Sequence, residues 1–462
     1  MTRILLLAVG LCLVGVSVAV AGPPLEPAPA PVRRAGQPAP AEQPEAPPAA
    51  EPPTASPPAD VSPAPAAAPA QPPPAGSPAP AAQPDEPVQT FDDEPEDEAE
   101  EAGGPAGGTP RDVETFADST MDARRLRFAL NAFGDASLIE RIPDEGDEAS
   151  SFTLGTFAML INAQLGSSLL GTAEVAFDAN SDNRQDIELE RLQLRWQTER
   201  FHVVGGRLHT DLGYWNAAFH HGAWLHLPIR RPRVLRGETS GGVLPIHWVG
   251  VEAGVILPIE PGALTISGGV GNGRGNEEGS INLVNDTNDF KAVKLKIEAQ
   301  ALGLPDLRIG VGGLYDRIAA EPATVRPALP DQEIDEIIGN AYAAYRGVQV
   351  TLIAEAYAIW HRGDDDTFTT TDAFVVAGYR IGRVTPYVQV ERTDEHGDPD
   401  PFYTPDPGMT TPSSPRDQTE ALAGVRVDVS VWSALKAEYG LLFPDDADGP
   451  DHTVMLNWSF GI

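Results

Sequence analysis

Between Asp289 and Leu302 the chain alternates with a period of two. Val293, Leu295, Ile297, Ala299 and Ala301 fall on one side of an extended backbone, and Lys294, Lys296, Glu298 and Gln300 on the other. Such alternation marks a strand whose two faces meet different surroundings. Ala421, Ala423, Val425, Val427 and Val429 repeat it against Gly424, Arg426 and Asp428. At the C-terminus Val454, Leu456, Trp458, Phe460 and Ile462 alternate with Thr453, Met455, Asn457, Ser459 and Gly461. Segments of this texture, bounded by Gly, Asp, Asn and Pro, fill the chain from about residue 124 onward. They predict strands at 126–139, 152–165, 168–180, 186–199, 201–209, 246–257, 262–272, 289–302, 306–318, 334–346, 347–361, 367–382, 383–393, 418–430, 431–443 and 451–462. In the fourth, Ile187 and Leu189 are out of phase with Leu192, Leu194 and Trp196, which implies a bulge or an extension beyond the bilayer.

The connections alternate too. Short turns at Gly166-Ser167, 198–200, 303–305, Arg346-Gly347 and Gly382-Arg383 are interleaved with long polar loops at 272–288, 319–333, 361–366 and 393–417. An even strand count with turns short at one end and long at the other predicts an all-β, transmembrane antiparallel β-barrel of about 16 strands, both chain ends on the periplasmic side. A soluble sixteen-stranded sandwich would alternate as well, and the pattern alone does not say which face points inward. A propeller is disfavoured because no repeat of roughly 40 to 50 residues is present.

Composition divides the chain into three. Met1–Ala21 has a basic start at Arg3, an apolar run and a small-residue site at Ala19-Val20-Ala21, the pattern of a secretory signal peptide over 1–21. Its Cys12 is the only cysteine, so the mature chain owes nothing to disulfides. Residues 22–118 form a Pro/Ala-rich and acidic segment: 24 of the 46 prolines lie before residue 90, and Asp85–Glu101 holds ten carboxylates without a basic residue. Such a stretch buries too little apolar surface to fold and is expected to be a disordered periplasmic arm. The barrel takes 119–462. A net charge of −35 excludes a nucleic-acid partner held by phosphate contacts. Past the first twenty residues no apolar run reaches the roughly 18 needed for a membrane-spanning helix, which leaves strands as the membrane-crossing elements.

With these elements in place, the region 120–462 resembles the sixteen-stranded general and substrate-selective porins of Gram-negative outer membranes. Phe133-Gly134-Asp135, Ile187–Arg191, Gly206–His209 and Gly213–Asn216 with His220-His221-Gly222 also resemble the phosphate-selective porin-like proteins. The final strand departs from the usual terminal Phe, with Gly461-Ile462 after Phe460. The resemblance implies a passive pore, contact with the barrel-assembly machinery, outer-membrane lipid and lipopolysaccharide, and a homotrimer. It also implies that the connection from Thr210 to Pro245 folds into the barrel and constricts it.

That connection differs from the other loops in carrying Tyr214, Trp215, Phe219, Trp224 and Leu225, suited to packing on an inner wall. It also holds Arg230, Arg231, Arg233 and Arg236. Clustered guanidiniums at a narrow point attract anions, and Glu174, Glu188, Glu298 and Glu355 are expected to face them. Lys294, Lys296, Glu298, Arg308, Arg426 and Asp428 are expected to line the lumen. Six of the nine histidines lie in or beside the loop, but adjacent His220 and His221 would point to opposite faces on a strand, and no metal or cofactor is expected. No Gly-x-Ser-x-Gly, His-Glu-x-x-His or phosphate-loop pattern is present, so no enzymatic activity is expected. The expected function is passive diffusion of small hydrophilic solutes with anion preference. The alternative is a non-conducting barrel that tethers the outer membrane to a periplasmic or cell-wall partner through its arm.

Overall fold

The structure, a computed structural model, describes residues 126–144, 148–179, 185–219, 222–236, 243–274, 288–320, 331–364, 366–398, 400–403 and 417–462. The expected signal peptide and the 22–118 arm lie outside the described residues, as do His220 and His221.

One antiparallel sheet closes on itself. Its first third comprises β1 (Leu126–Ile142), β2 (Ala149–Leu154), β3 (Phe157–Leu165), β4 (Leu169–Ala179), β5 (Gln185–Gln197) and β6 (Phe201–His209). After the long connection come β7 (His247–Ile259), β8 (Gly262–Gly271), β9 (Ala292–Gln300), β10 (Leu307–Ile318), β11 (Ile334–Arg346) and β12 (Val350–Arg362). The last are β13 (Thr367–Tyr379), β14 (Val384–His396), β15 (Gln418–Ser430), β16 (Ser433–Pro444) and β17 (Asp451–Gly461). Both β2 and β3 pair with β1, and Gly155 N donates to Asp135 O between them at 2.9 Å. They therefore form one interrupted stave, and the seventeen strands make a sixteen-stave barrel. Closure comes from β1 against β17, in register from Phe133 opposite Gly461 to Ile142 opposite His452.

The predicted strands agree with the observed ones to within a few residues; β1 runs on to Ile142, and β9 is shorter than expected. The out-of-phase fourth segment is β5, and the break is a bulge. Val175 faces Leu189 while Glu174 faces Arg191, so Glu190 has no opposite residue. The extra residue restores the phase, keeping Ile187, Leu189, Leu192 and Leu194 all on the exposed face.

The ambiguity over faces resolves in favour of the membrane. Leu295 is 55% exposed and neighbouring Lys294 only 7%, and the same inversion holds around the barrel. Exposed large side chains are Leu, Val, Ile, Phe and Trp, whereas Glu252, Glu336, Glu355, Glu391, Glu420, Lys436 and Glu438 face inward. A soluble sandwich would bury the aliphatics and hydrate the charges; this barrel does the reverse, as a lipid-facing belt around a polar interior requires. Short turns gather at one end, with the start of β1 and the end of β17, and long connections at the other.

Candidate functional site

The connection between β6 and β7 enters the barrel. Thr210, fully buried, fastens its base: its hydroxyl donates to Pro245 O, and Asn216 Nδ2 donates to Thr210 Oγ1 and Ile246 O at 3.2 Å each. A one-turn helix, α1 (Trp215–Ala218), follows, and a 3₁₀ turn spans Arg233–Leu235. Leu212, Tyr214, Trp215, Phe219, Val234, Leu235 and Leu244 pack on inward residues of β11–β13, among them Ile338, Tyr342, Ile353, Tyr357 and Phe374. Trp215 meets Phe374 edge-on at 5.8 Å and Phe219 at 4.9 Å. Of the aromatic residues expected on the inner wall, Tyr214, Trp215 and Phe219 are in this cluster. Leu225 packs at its edge, and Trp224 lies under the Arg426 guanidinium, 4.6 Å away.

Polar fastening comes from glutamates on three alternate staves. Glu355 on β12 accepts from Tyr214 N at 3.2 Å and Trp215 N at 2.6 Å. Glu391 on β14 accepts from Arg233 N at 2.7 Å and Val234 N at 3.0 Å. Glu438 on β16 accepts from Ile229 N at 2.9 Å. A loop lying across a barrel leaves backbone donors unpaired, and a buried unpaired N–H is unfavourable, so carboxylates placed opposite them fix its course. Gly213, with φ +81°, allows the approach, because a Cβ there would lie 2.1 Å from Glu355 Oε2. At the other side of the loop, Lys294 on β9 binds Asp211 and, at 2.6 Å, Glu252.

Three of the four loop arginines, Arg230, Arg233 and Arg236, also meet the wall, but not at the expected carboxylates. Arg230 Nη2 lies 2.9 Å from Glu420 Oε1 and Arg236 pairs with the same carboxylate; Arg230 also lies 3.9 Å from Glu438. Arg233 donates to the Gln418 amide oxygen from Nη2 at 2.8 Å and Nε at 3.0 Å. Arg231 O accepts from Arg236 Nε at 2.9 Å. Burial lowers the pKa of Arg230 and Arg233, with Glu420 opposing the shift in each. The expected partners are engaged elsewhere. Glu174 pairs with Arg191 at 2.6 Å, Glu298 accepts from Tyr342 Oη at 2.6 Å, and Glu355 holds the loop backbone. Glu188 is half-buried on β5. The correction has a simple cause: Arg230, Arg233 and Arg236 dock on β14–β16, and the carboxylates nearest them are the inward ones of those staves.

All six expected lumen residues are on the inner face. Lys296 lies 3.5 Å from Asp211, Arg308 reaches Glu298 at 3.4 Å, and Arg426 bonds Asp428 at 2.8 Å. Lys294 is too buried to meet solvent and serves as a loop anchor instead. Of the histidines, His226 is buried between Trp215 and Phe219, with Nδ1 2.7 Å from Pro228 O. Burial, then Lys436 and Arg231, pushes its pKa well below the usual value, so it is neutral. His247 lies 2.9 Å from Glu190, and the His209 ring is tilted against that of His247 at 5.3 Å. Among the described residues no group of His, Cys, Asp and Glu has the arrangement of a metal site.

A second buried cluster, not foreseen from sequence, sits at the long-loop end. His361 on β12 lies 3.0 Å from Glu336 through Nε2 and 2.6 Å from Asp400 through Nδ1. Arg274 bonds Glu336 at 2.8 Å and Val243 O at 2.8 Å. Burial alone would lower the pKa of Arg274, but Glu336, then Tyr403 and Asp316, raise it. This cluster joins the connections after β6, β8 and β14 to the barrel rim.

No family model matches the chain, and no curated protein does. Solved structures similar to it are outer-membrane barrels. The outer membrane channel DcaP of Acinetobacter baumannii is 12% identical and covers 75% of this chain and 100% of its own, with a TM-score of 0.51. OmpF of Salmonella typhi, in a complex with daunomycin, is 12% identical over 72% of this chain and 97% of its own, with a TM-score of 0.47. The trimer form of OmpT, an outer membrane protein of Vibrio cholerae, is 12% identical over 72% and 99%, with a TM-score of 0.45. At such identities the likeness is one of fold.

Proposed function

We propose that the protein is an outer-membrane porin, a passive and non-enzymatic path for small hydrophilic solutes. The observation that carries this reading is the inward loop: a long connection of a lipid-facing barrel is fastened across the interior by glutamates of the opposite wall, narrowing a charged lumen. A modest anion preference belongs to the proposal. The side chain of Arg230 is 28% exposed and that of its partner Glu420 only 2%, so mobile ions meet the guanidinium before the carboxylate. Lipid, lipopolysaccharide and the barrel-assembly machinery are the proposed partners, with residues 22–118 as a periplasmic arm. A homotrimer is also proposed. It is supported by the small side chains Ala341, Ala343, Ala354, Ala356, Ala358 and Ala373, which share one face of β11–β13.

Liposomes containing the purified protein test the reading. Swelling in isosmotic sugars and amino acids, falling with solute size, is expected, together with a reversal potential in a KCl gradient that favours chloride. Liposomes that do not swell, combined with capture of peptidoglycan or a periplasmic protein by the arm, would replace the channel by a tethering barrel.

A further inference from the structure

At the short-turn end, beneath the inward loop, a cavity of about 260 Å³ opens between Phe219, Trp224 and Leu227 of the loop and Arg346, Arg380 and Arg426 of the wall. It is smaller than the roughly 300–1,000 Å³ of pockets that hold drug-sized ligands, and so fits a small solute. Two carboxylates line it, Asp306 and Asp428. Asp428 is shared by Arg426 at 2.8 Å and Arg380 at 3.5 Å, and Arg426 spends a further donor on Trp224 O at 2.6 Å. Arg346 is different. Its guanidinium carbon lies 4.6 Å over the Phe219 ring and Nη1 is 3.4 Å from Tyr214 Oη, yet among the described residues no carboxylate lies within 4.0 Å of it. Asp306 accepts the Arg346 backbone N–H through its carbonyl at 3.2 Å and makes no ion pair with the side chain.

A guanidinium resting on an aromatic face keeps its in-plane N–H groups for a second partner, and their fork matches a carboxylate. Around it Leu225, Leu227, Val348 and Val376 offer apolar wall. We propose that this cavity binds a small organic monoanion, a carboxylate carried on an apolar body, with Arg346 as its anion ligand. The proposal rests on the channel reading for its biological meaning, as a resting site for permeant organic acids, but its test does not.

Isothermal titration of the full-length protein in detergent with benzoate, and with benzamide as the neutral isostere, measures the site directly. Saturable benzoate binding is expected, roughly tenfold or more tighter than benzamide. Arg346→Gln should bring benzoate down to the benzamide level, and Arg346→Lys should recover part of the loss. Asp428→Asn, which removes the carboxylate that occupies Arg380 and Arg426, should tighten benzoate severalfold, and this gain does not depend on how Arg346→Gln folds. Absence of saturable benzoate binding, equal affinity for benzamide, or wild-type affinity in Arg346→Gln would overturn the site. The titration separates the two readings: benzoate bound by a protein that passes no solute removes the channel and leaves the site, and solute flux without benzoate binding does the opposite.

Discussion

Glu355→Gln tests the fastening of the inward loop most sharply. The carboxylate accepts two loop amides, Tyr214 N at 3.2 Å and Trp215 N at 2.6 Å, and the Tyr357 hydroxyl. A glutamine is nearly the same shape but has one acceptor oxygen, and its NH₂ would face the Trp215 N–H at the Oε1 position or the Tyr214 N–H at the Oε2 position. At about 1.5–3 kcal/mol for a hydrogen bond to a charged group, losing one such bond and weakening another amounts to about 2–4 kcal/mol of loop docking. Removal of a buried charge offsets part of this, so the lower end is the working figure. By the relation of about 1.4 kcal/mol per factor of ten, release of the loop becomes roughly 30-fold more frequent or greater. Amide hydrogen exchange at Tyr214 and Trp215, followed by mass spectrometry on the full-length protein, reads this factor. Glu298→Gln is the control, because Glu298 bonds Tyr342 and Arg308 and no loop amide. Equal exchange at Tyr214 and Trp215 in wild type and Glu355→Gln would refute the fastening.

His361→Leu should leave Glu336 and Asp400 facing one another across a buried gap with Arg274 as their remaining cation. Breaking such a cluster costs about 3–5 kcal/mol, read as faster proteolysis near Phe402 with the barrel strands intact. The loop also has a pH dependence with a definite sign. His226 has a depressed pKa when docked, so release of the loop takes up a proton; docking is fully present above about pH 6.5 and weakens as pH falls below that value. Amide protection factors in the loop, taken relative to the intrinsic exchange rate at each pH, should therefore fall between about pH 6.5 and 5 in wild type and fall less in His226→Gln. Replacing Arg230, Arg231, Arg233 and Arg236 together by Ser should shift the chloride-to-potassium permeability ratio toward potassium, measured as a reversal potential. An unchanged ratio would remove the anion preference from the proposal.

The barrel was legible because its signal is local. A period of two can be read from ten residues, and even the Glu190 bulge announced itself as the phase break between Leu189 and Leu192. Which face met lipid was not legible, since a sandwich alternates identically; only closure of β1 on β17 puts Lys294 inside and Leu295 outside. The loop was legible as an exception, by its aromatic residues and four arginines. Its partners were not, because Arg236 and Glu420 lie 184 residues apart, and Glu355, Glu391, Glu420 and Glu438 look in sequence like any other charge on a polar strand face. Arg346 was hidden in the same way, read only as part of the turn with Gly347. What makes it distinct is the Phe219 ring beneath it and, among the described residues, the lack of a carboxylate within ion-pair distance, both properties of the folded chain.

The claim that a wall-fastened loop narrows an open lumen is tested most directly by single-channel conductance in planar bilayers, comparing wild type with a variant in which residues 213–243 are replaced by a short Gly/Ser linker. Discrete open steps in wild type and larger steps in the variant are the predicted result. A wild type without channel steps, or a variant whose steps are no larger, would contradict it.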